Sequence, residues 1–383
     1  MFKSIILFFG FILVMLSHGN SQKITAIPSA KNINAIKFLG EYNIPFNLKY
    51  KNTTVGGLSG IDYDAKNKLY YLICDDRSEK NPARFYTAKI FISAKDIDSM
   101  HFTGVVNMLQ PNNTVYPNNK QDALHTPDPE AIRYNPVTKK LVWSSEGERI
   151  VRATDTVLEN PSVITISTTG KFFNNFQLPD NLTMQSTEKG PRQNGVLEGM
   201  SFADNYKTLF VNVEEPLYED GERAALEVAD NYIRIFKFDV ESKTNTAQYA
   251  YKLEPVAYAA NPANGFKING VTDILSVGKN RLLVIERSFS TGRLPSTVKL
   301  FIANLDTATN IKEVQSLKGN SNFIPVTKKL LLNMDDLGIY IDNIEGVTFG
   351  PTLPNGHKSL VFIADNNFFP FEKAQLLLFE VLE

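Results

Sequence analysis

The sequence runs to 383 residues, 43% hydrophobic and 21% charged, with 40 Lys and Arg against 41 Asp and Glu for a net charge of −1. That length exceeds one small module and fits one large repeat-built domain or two ordinary ones, and the composition excludes wholesale disorder. Balanced charge excludes a broad basic nucleic-acid surface, and the single cysteine, Cys74, excludes an internal disulfide and a multi-cysteine metal site.

The chain opens with Lys3, an apolar run from Ser4 to Leu16, and the small residues Ser17, Gly19 and Ser21. A positive start, a short apolar run and small residues describe a secretory signal over residues 1–21. The run is too short for a spanning helix. The expectation is therefore an exported protein, periplasmic or secreted, with no stable membrane anchor once the signal is removed. Residues 22–54 read as a lead-in and N-terminal strand, and 55–383 as one domain.

That domain repeats itself. Leu58-Ser-Gly60-Ile-Asp-Tyr63, Pro129-Glu-Ala131-Ile-Arg-Tyr134, Leu197-Glu-Gly199-Met-Ser-Phe202, Asn269-Gly270-Val-Thr-Asp273 and Ile344-Glu-Gly346-Val-Thr-Phe349 each precede a polar turn and a strongly apolar run. Aligned on Gly60, Ala131, Gly199, Gly270 and Gly346, the steps are 71, 68, 71 and 76 residues. The runs are short, β-branched and aromatic, and bounded by turn residues, which is the strand signature. Repeated all-β units of this size predict a β-propeller of four-stranded blades. Five units are visible, and six blades are expected. The strand near Lys37–Asn43 would close the ring against Gln375–Val381, removing an exposed sheet edge.

Two positions in the unit carry charge. The residue before the aligned small one is Ser59, Glu130, Glu198, Asn269 or Glu345. The later one is Asp75 with Asp76, Glu146, Glu214 with Glu215, Glu286, or Asp365, and Arg77, Arg149 and Arg287 follow in three units. Equivalent positions converge near a propeller axis, where gathered carboxylates repel unless protonated, paired or bridged by a cation. Two arrangements fit: a ring that binds a hard cation such as calcium and, through arginine forks, phosphate, or a metal-free scaffold of Glu–Arg pairs. In the first, Asp75, Asp76, Glu130, Glu198 and Glu345 are the candidate catalytic residues, Glu146, Glu214, Glu286 and Asp365 the metal ligands, and Arg77, Arg149 and Arg287 the phosphate-orienting groups.

The stretch Gly56-Gly-Leu-Ser-Gly-Ile-Asp-Tyr-Asp64, with Asp75-Asp-Arg77, Pro129-Glu-Ala-Ile132, Leu197-Glu-Gly-Met200, the Glu215-Pro…Asp220-Gly221 loop and Ile344-Glu-Gly-Val347, resembles the phytase-like family called esterase-like activity of phytase. The resemblance spans roughly Val55 to Leu382. It implies an exported propeller acting on a small phosphoester substrate, with calcium as cofactor, as in propeller phytases. Ser59, Ala131 and Asn269 depart from the repeated acid-glycine pattern. The chain is expected to be monomeric and to bind no nucleic acid. A ligand-binding propeller without catalysis, using the same axial surface, is the alternative.

Other chemistries find less support. Gly57-Leu-Ser59-Gly60 lacks the final glycine of a Gly-x-Ser-x-Gly nucleophile turn, because Ile61 stands there. His125 reads as a loop residue, and Cys74 as a core thiol. Tyr218–Arg223 reads as an acidic excursion, either a rim over the site or a solvated run.

Overall fold

The computed structural model describes residues 33–383, so the expected signal over residues 1–21 lies outside the described residues. Five four-stranded antiparallel sheets surround a common axis, which makes the fold an all-β propeller with five blades rather than six. The innermost strands are Gly60–Asp64, Pro129–Asn135, Leu197–Ala203, Lys267–Gly278 and Asn343–Phe349. Each contacts the next, and the fifth contacts the first, so the circle is complete.

A sixth blade fails to form because the segments that would supply it are not strands. Residues 176–196, 214–231 and 305–326 are connections, with one short 3₁₀ turn at Asp180–Leu182. The N-terminal strand Ala35–Ile44 instead becomes the fourth strand of the fifth blade, pairing antiparallel with Ala374–Leu382 from Ala35↔Leu382 to Ile44↔Ala374.

The apolar runs follow from the packing. Every sheet is covered on both faces by its neighbours, so the second strands Leu69–Cys74, Lys140–Ser145, Thr208–Val213 and Ser359–Asp365 are almost wholly buried. Tyr71, Ile73 and Phe85 of the first blade pack with Ile132, Leu141 and Trp143 of the second. Leu283, Ile285 and Val298 of the fourth pack with Val347, Phe362 and Leu377 of the fifth. Alternation of apolar and polar residues, the mark of a half-solvated sheet, is confined to outer strands such as Ile97–Asn107.

The small residues of the repeat have a geometric cause. A Cβ built on Gly199 would lie 2.6 Å from the Cα of Asp273, one on Gly60 3.0 Å from the Cα of Ala131, and one on Gly346 3.1 Å from the Cα of Gly60. Neighbouring inner strands thus approach too closely at this level for most side chains. Asp273 is the exception, and its carboxylate fills the axis. Arg133 Nη2 donates to both its oxygens, at 2.7 and 2.6 Å. Arg133 also donates to Met200 O at 2.5 Å and to Ile61 O at 2.6 Å, while Asp273 accepts from Val347 N at 2.8 Å. One ion pair therefore touches all five blades, and both partners are buried, at 2% and 1% exposure.

Removing one partner of such a pair leaves an uncompensated buried charge. Asp273→Ala is expected to lower unfolding free energy by about 3–5 kcal/mol, read from the denaturation midpoint in guanidinium chloride. An unchanged midpoint would show that the axial pair does not hold the blades.

Candidate metal centre

Strand pairing fixes which residues occupy equivalent places. Pairing skips from Pro129 to Ile132, from Leu197 to Met200, from Val271 to Asp273 and from Ile344 to Gly346. Each skip is a β-bulge, which re-aims the extra side chain. The residues carried there are Glu130, Glu198, Thr272 and Glu345, with Ser59 at the equivalent place just before the first blade's inner strand. Ser59 Oγ donates to Glu130 O at 2.7 Å, and Thr272 Oγ1 to Ile344 O at 3.0 Å, so both hydroxyls tie one blade to the next. Ser59 is thus a joint between blades.

The end of each second strand supplies the outer positions: Asp75, Glu146, Glu214, Arg287 and Asp365. This corrects the fourth unit of the repeat. Aligning on Gly270 puts Asn269 and Glu286 in the ring, but the structure puts Thr272 and Arg287 there. The fourth inner strand is the longest of the five, and Asn269-Gly270 lies ahead of its bulge. Gly270 is small for another reason: a Cβ there would lie 2.5 Å from Glu214 Cγ. Glu286 faces elsewhere, bonded to Lys328 Nζ at 2.6 Å and Tyr251 Oη at 2.7 Å.

Two groups of carboxylates form within the ring. Asp75, Asp128 and Glu130 each offer an oxygen within 4.8 Å of the others, as do Glu130, Glu146 and Glu198, so Glu130 belongs to both. Asp128 was not legible as a site residue, although it stands two places before Glu130, where Asn343 stands before Glu345. Gly57, at φ +59°, brings its carbonyl under the Asp75 N–H at 2.6 Å and fixes where that carboxylate begins.

The other candidates have partners of their own. Asp76 pairs with Arg84 at 2.7 Å and accepts from the N–H groups of Glu79, Lys80 and Asn81. Arg149 donates to Gln185 O and Thr187 O and lies over the Tyr218 ring. Arg77 pairs with Glu148 at 2.7 Å and Asp128 at 3.4 Å. Arg287 holds Glu214 at 2.7 Å and Glu345 at 3.2 Å, and also bonds Asn343. The loop after Glu215 is anchored rather than solvated, because fully buried Asp220 takes two bonds from Arg234 at 2.6 and 2.8 Å.

Two arginines do not neutralise this many acids. Burial, then repulsion between neighbours, pushes Asp75, Glu130 and Glu198 well above the usual carboxylate range. Burial and Asp128 bring Glu146 to about 8, burial and Asp365 bring Glu345 to about 8, and burial brings Asp365 to about 7. The donors in the two groups are all carboxylate oxygens, with no histidine or sulfur among them. Their 4.8 Å spread is about twice a calcium–oxygen distance. The residues present fit a hard divalent cation.

Residues 53–368 match the phytase-like family described as esterase-like activity of phytase. The chain belongs to this family. No curated protein matches it. Among solved structures, an α-L-arabinofuranosidase from Lactobacillus brevis is similar at 9% identity and a TM-score of 0.45, over 84% of this chain and 90% of that one. An exo-β-1,3-galactanase from Phanerochaete chrysosporium aligns at 10% identity and TM-score 0.45, over 90% of this chain and 64% of that one. The Bacillus subtilis arabinanase Arb43A aligns at 12% identity and TM-score 0.41, over 85% and 94%.

Acids whose folded pKa is raised bind more protons folded than unfolded, so stability falls as pH rises from their ordinary values near 4–4.5 towards about 8. The metal-free protein is expected to lose melting temperature across pH 5 to 9. Calcium is expected to restore it, more at pH 8 than at pH 5, and Glu130→Gln to abolish most of that gain. Differential scanning calorimetry with calcium and with EDTA checks this, and a calcium shift indifferent to pH would contradict it.

Proposed function

We propose that the chain is a phosphoric-ester hydrolase working through a cation held in the axial carboxylate ring. The observation that carries this reading is the pair of carboxylate groups sharing Glu130, and family membership supports it. Asp75, Asp128, Glu130, Glu146 and Glu198 would hold calcium. A bound divalent cation polarises a phosphoryl oxygen and favours nucleophilic water.

The chain's own groups have distinct tasks in this reading. Arg77, 27% exposed in its side chain, is the arginine best able to fork onto a phosphate while keeping its acidic partners. Arg287, more enclosed, holds Glu214 and Glu345 in place. Glu345 takes both of its hydrogen bonds, from Arg287 and Asn343, on Oε1. That leaves Oε2 to carry the proton that a pKa of about 8 retains, for transfer to the leaving oxygen. Export is part of the same proposal, resting on the apolar N-terminal run; a monomer with a small-molecule substrate completes it.

The test is release of p-nitrophenol from p-nitrophenyl phosphate, and of phosphate from phytate, with calcium and with EDTA. Turnover should require calcium, fall on the order of 10²-fold in Glu345→Gln, and lose calcium dependence in Glu130→Gln. Calcium binding without turnover of either ester would make the chain a ligand-binding propeller instead.

A further inference from the structure

The axis has a second end. Glu130, Glu198 and Glu345 stand at the starts of the inner strands, and the strand ends open into another cavity. Its floor is one register level of the ring, with Asp62, Arg133, Ser201, Leu275 and Thr348 paired to equivalent places on the second strands. One residue further on, four of the five blades carry an aromatic: Tyr63, Tyr134, Phe202 and Phe349. All four line the cavity, joined by Tyr206.

The walls are held rigidly. Tyr134 stacks on Tyr71 at 5.2 Å, Tyr63 packs on Tyr70 at 4.5 Å, and Phe202 on Tyr206 at 5.5 Å. Asp204, Asn205 and Tyr206 all lie in the left-handed region, at φ +49°, +54° and +66°. An aromatic residue adopts that conformation at a cost, and such strain persists where surrounding structure imposes it. Here it seats the Tyr206 ring at the cavity wall.

With Arg133 paired to Asp273, Asp62 is the floor carboxylate outside any ion pair among the described residues. Arg133 is spent on Asp273 and on backbone carbonyls. Asp62 accepts from Tyr134 N at 2.7 Å and Thr348 Oγ1 at 2.9 Å, and among the described residues no Lys or Arg forms an ion pair with it. Asp64 adds a second carboxylate at the wall, holding the N–H groups of Lys66 and Asn67. Burial first, then Asp62 and Asp64, push the Tyr206 hydroxyl upward. Besides Arg133, the basic residue among those lining the cavity is Lys66, exposed at the rim.

We propose that this aromatic cup is a binding site for a small organic cation, a quaternary or tertiary ammonium, whose charge lies over the tyrosine and phenylalanine faces and towards Asp62. Aromatic faces attract ammonium groups, and more so when water is excluded. Two hydroxyls of the floor are already engaged: Ser201 accepts from Ser276 N at 2.7 Å, and Thr348 donates to Asp62 at 2.9 Å.

Titration of the full chain with choline, and with its neutral isostere 3,3-dimethylbutan-1-ol, tests this by calorimetry and ligand-observed NMR. Choline should bind saturably at one site per chain, and the alcohol at least about tenfold more weakly. Asp62→Asn and, separately, Tyr206→Leu should each weaken choline several-fold. Glu130→Gln, at the other end of the axis, should leave it unchanged, and Lys66→Ala should leave it equal or tighter. Equal binding of the alcohol, indifference to both Asp62→Asn and Tyr206→Leu, loss in Glu130→Gln, or no saturable choline binding would each overturn the proposal. None of these readouts depends on hydrolysis or on calcium.

Discussion

A single guanidinium–carboxylate contact sits where five sheets meet. Arg133 belongs to the second blade and Asp273 to the fourth, and between them they bond to backbone groups of the first, third and fifth. Taking two charges out of water is costly, and the cost is recovered only when geometry is good and the remaining donors and acceptors are satisfied. Here they are. The close approach that excludes side chains at Gly60, Gly199 and Gly346 also creates the enclosed space that this pair fills. The pair then divides the axis into two chambers of different chemistry, one walled by carboxylates and one by aromatic rings.

The carboxylate chamber works against the fold that creates it. The bulges that open the second, third and fifth inner strands throw Glu130, Glu198 and Glu345 towards one another, and the second strands deliver Asp75, Glu146, Glu214 and Asp365 to the same space. Arg287 at the fifth outer place relieves part of the repulsion by holding Glu214 and Glu345. The remainder must be met by protons or by a cation. The donor oxygens so assembled are of the kind that a hard cation takes.

Much of this arrangement could be read from the sequence, because a repeat forces equivalent residues into equivalent surroundings. The acid-glycine pairs at Glu198-Gly199 and Glu345-Gly346 located the ring, and the recurrent Tyr63, Tyr134, Phe202 and Phe349 were visible in the same lines. The fourth unit misled because Asn269-Gly270 imitates that pair three residues early, while the true equivalents, Thr272 and Asp273, look like neither. Blade number misled because irregular connections between the second and third sheets, within the third and within the fourth are long enough to suggest another unit. The axial pair was invisible for a different reason. Its partners lie 140 residues apart, and a charged residue inside a strand ordinarily signals a solvent-facing position. Pairing across a ring is a property of closure, which no local pattern records.

The fifth sheet joins the chain's earliest described strand to its latest, Ala35–Ile44 to Ala374–Leu382. During synthesis, that early strand lacks its partner in the finished sheet until residues 374–382 have been added. Contacts so distant along the chain are slow to form and leave intermediates vulnerable to misassembly. Four sheets can therefore assemble as the chain emerges, yet the ring is sealed only once its last described strand has joined its first.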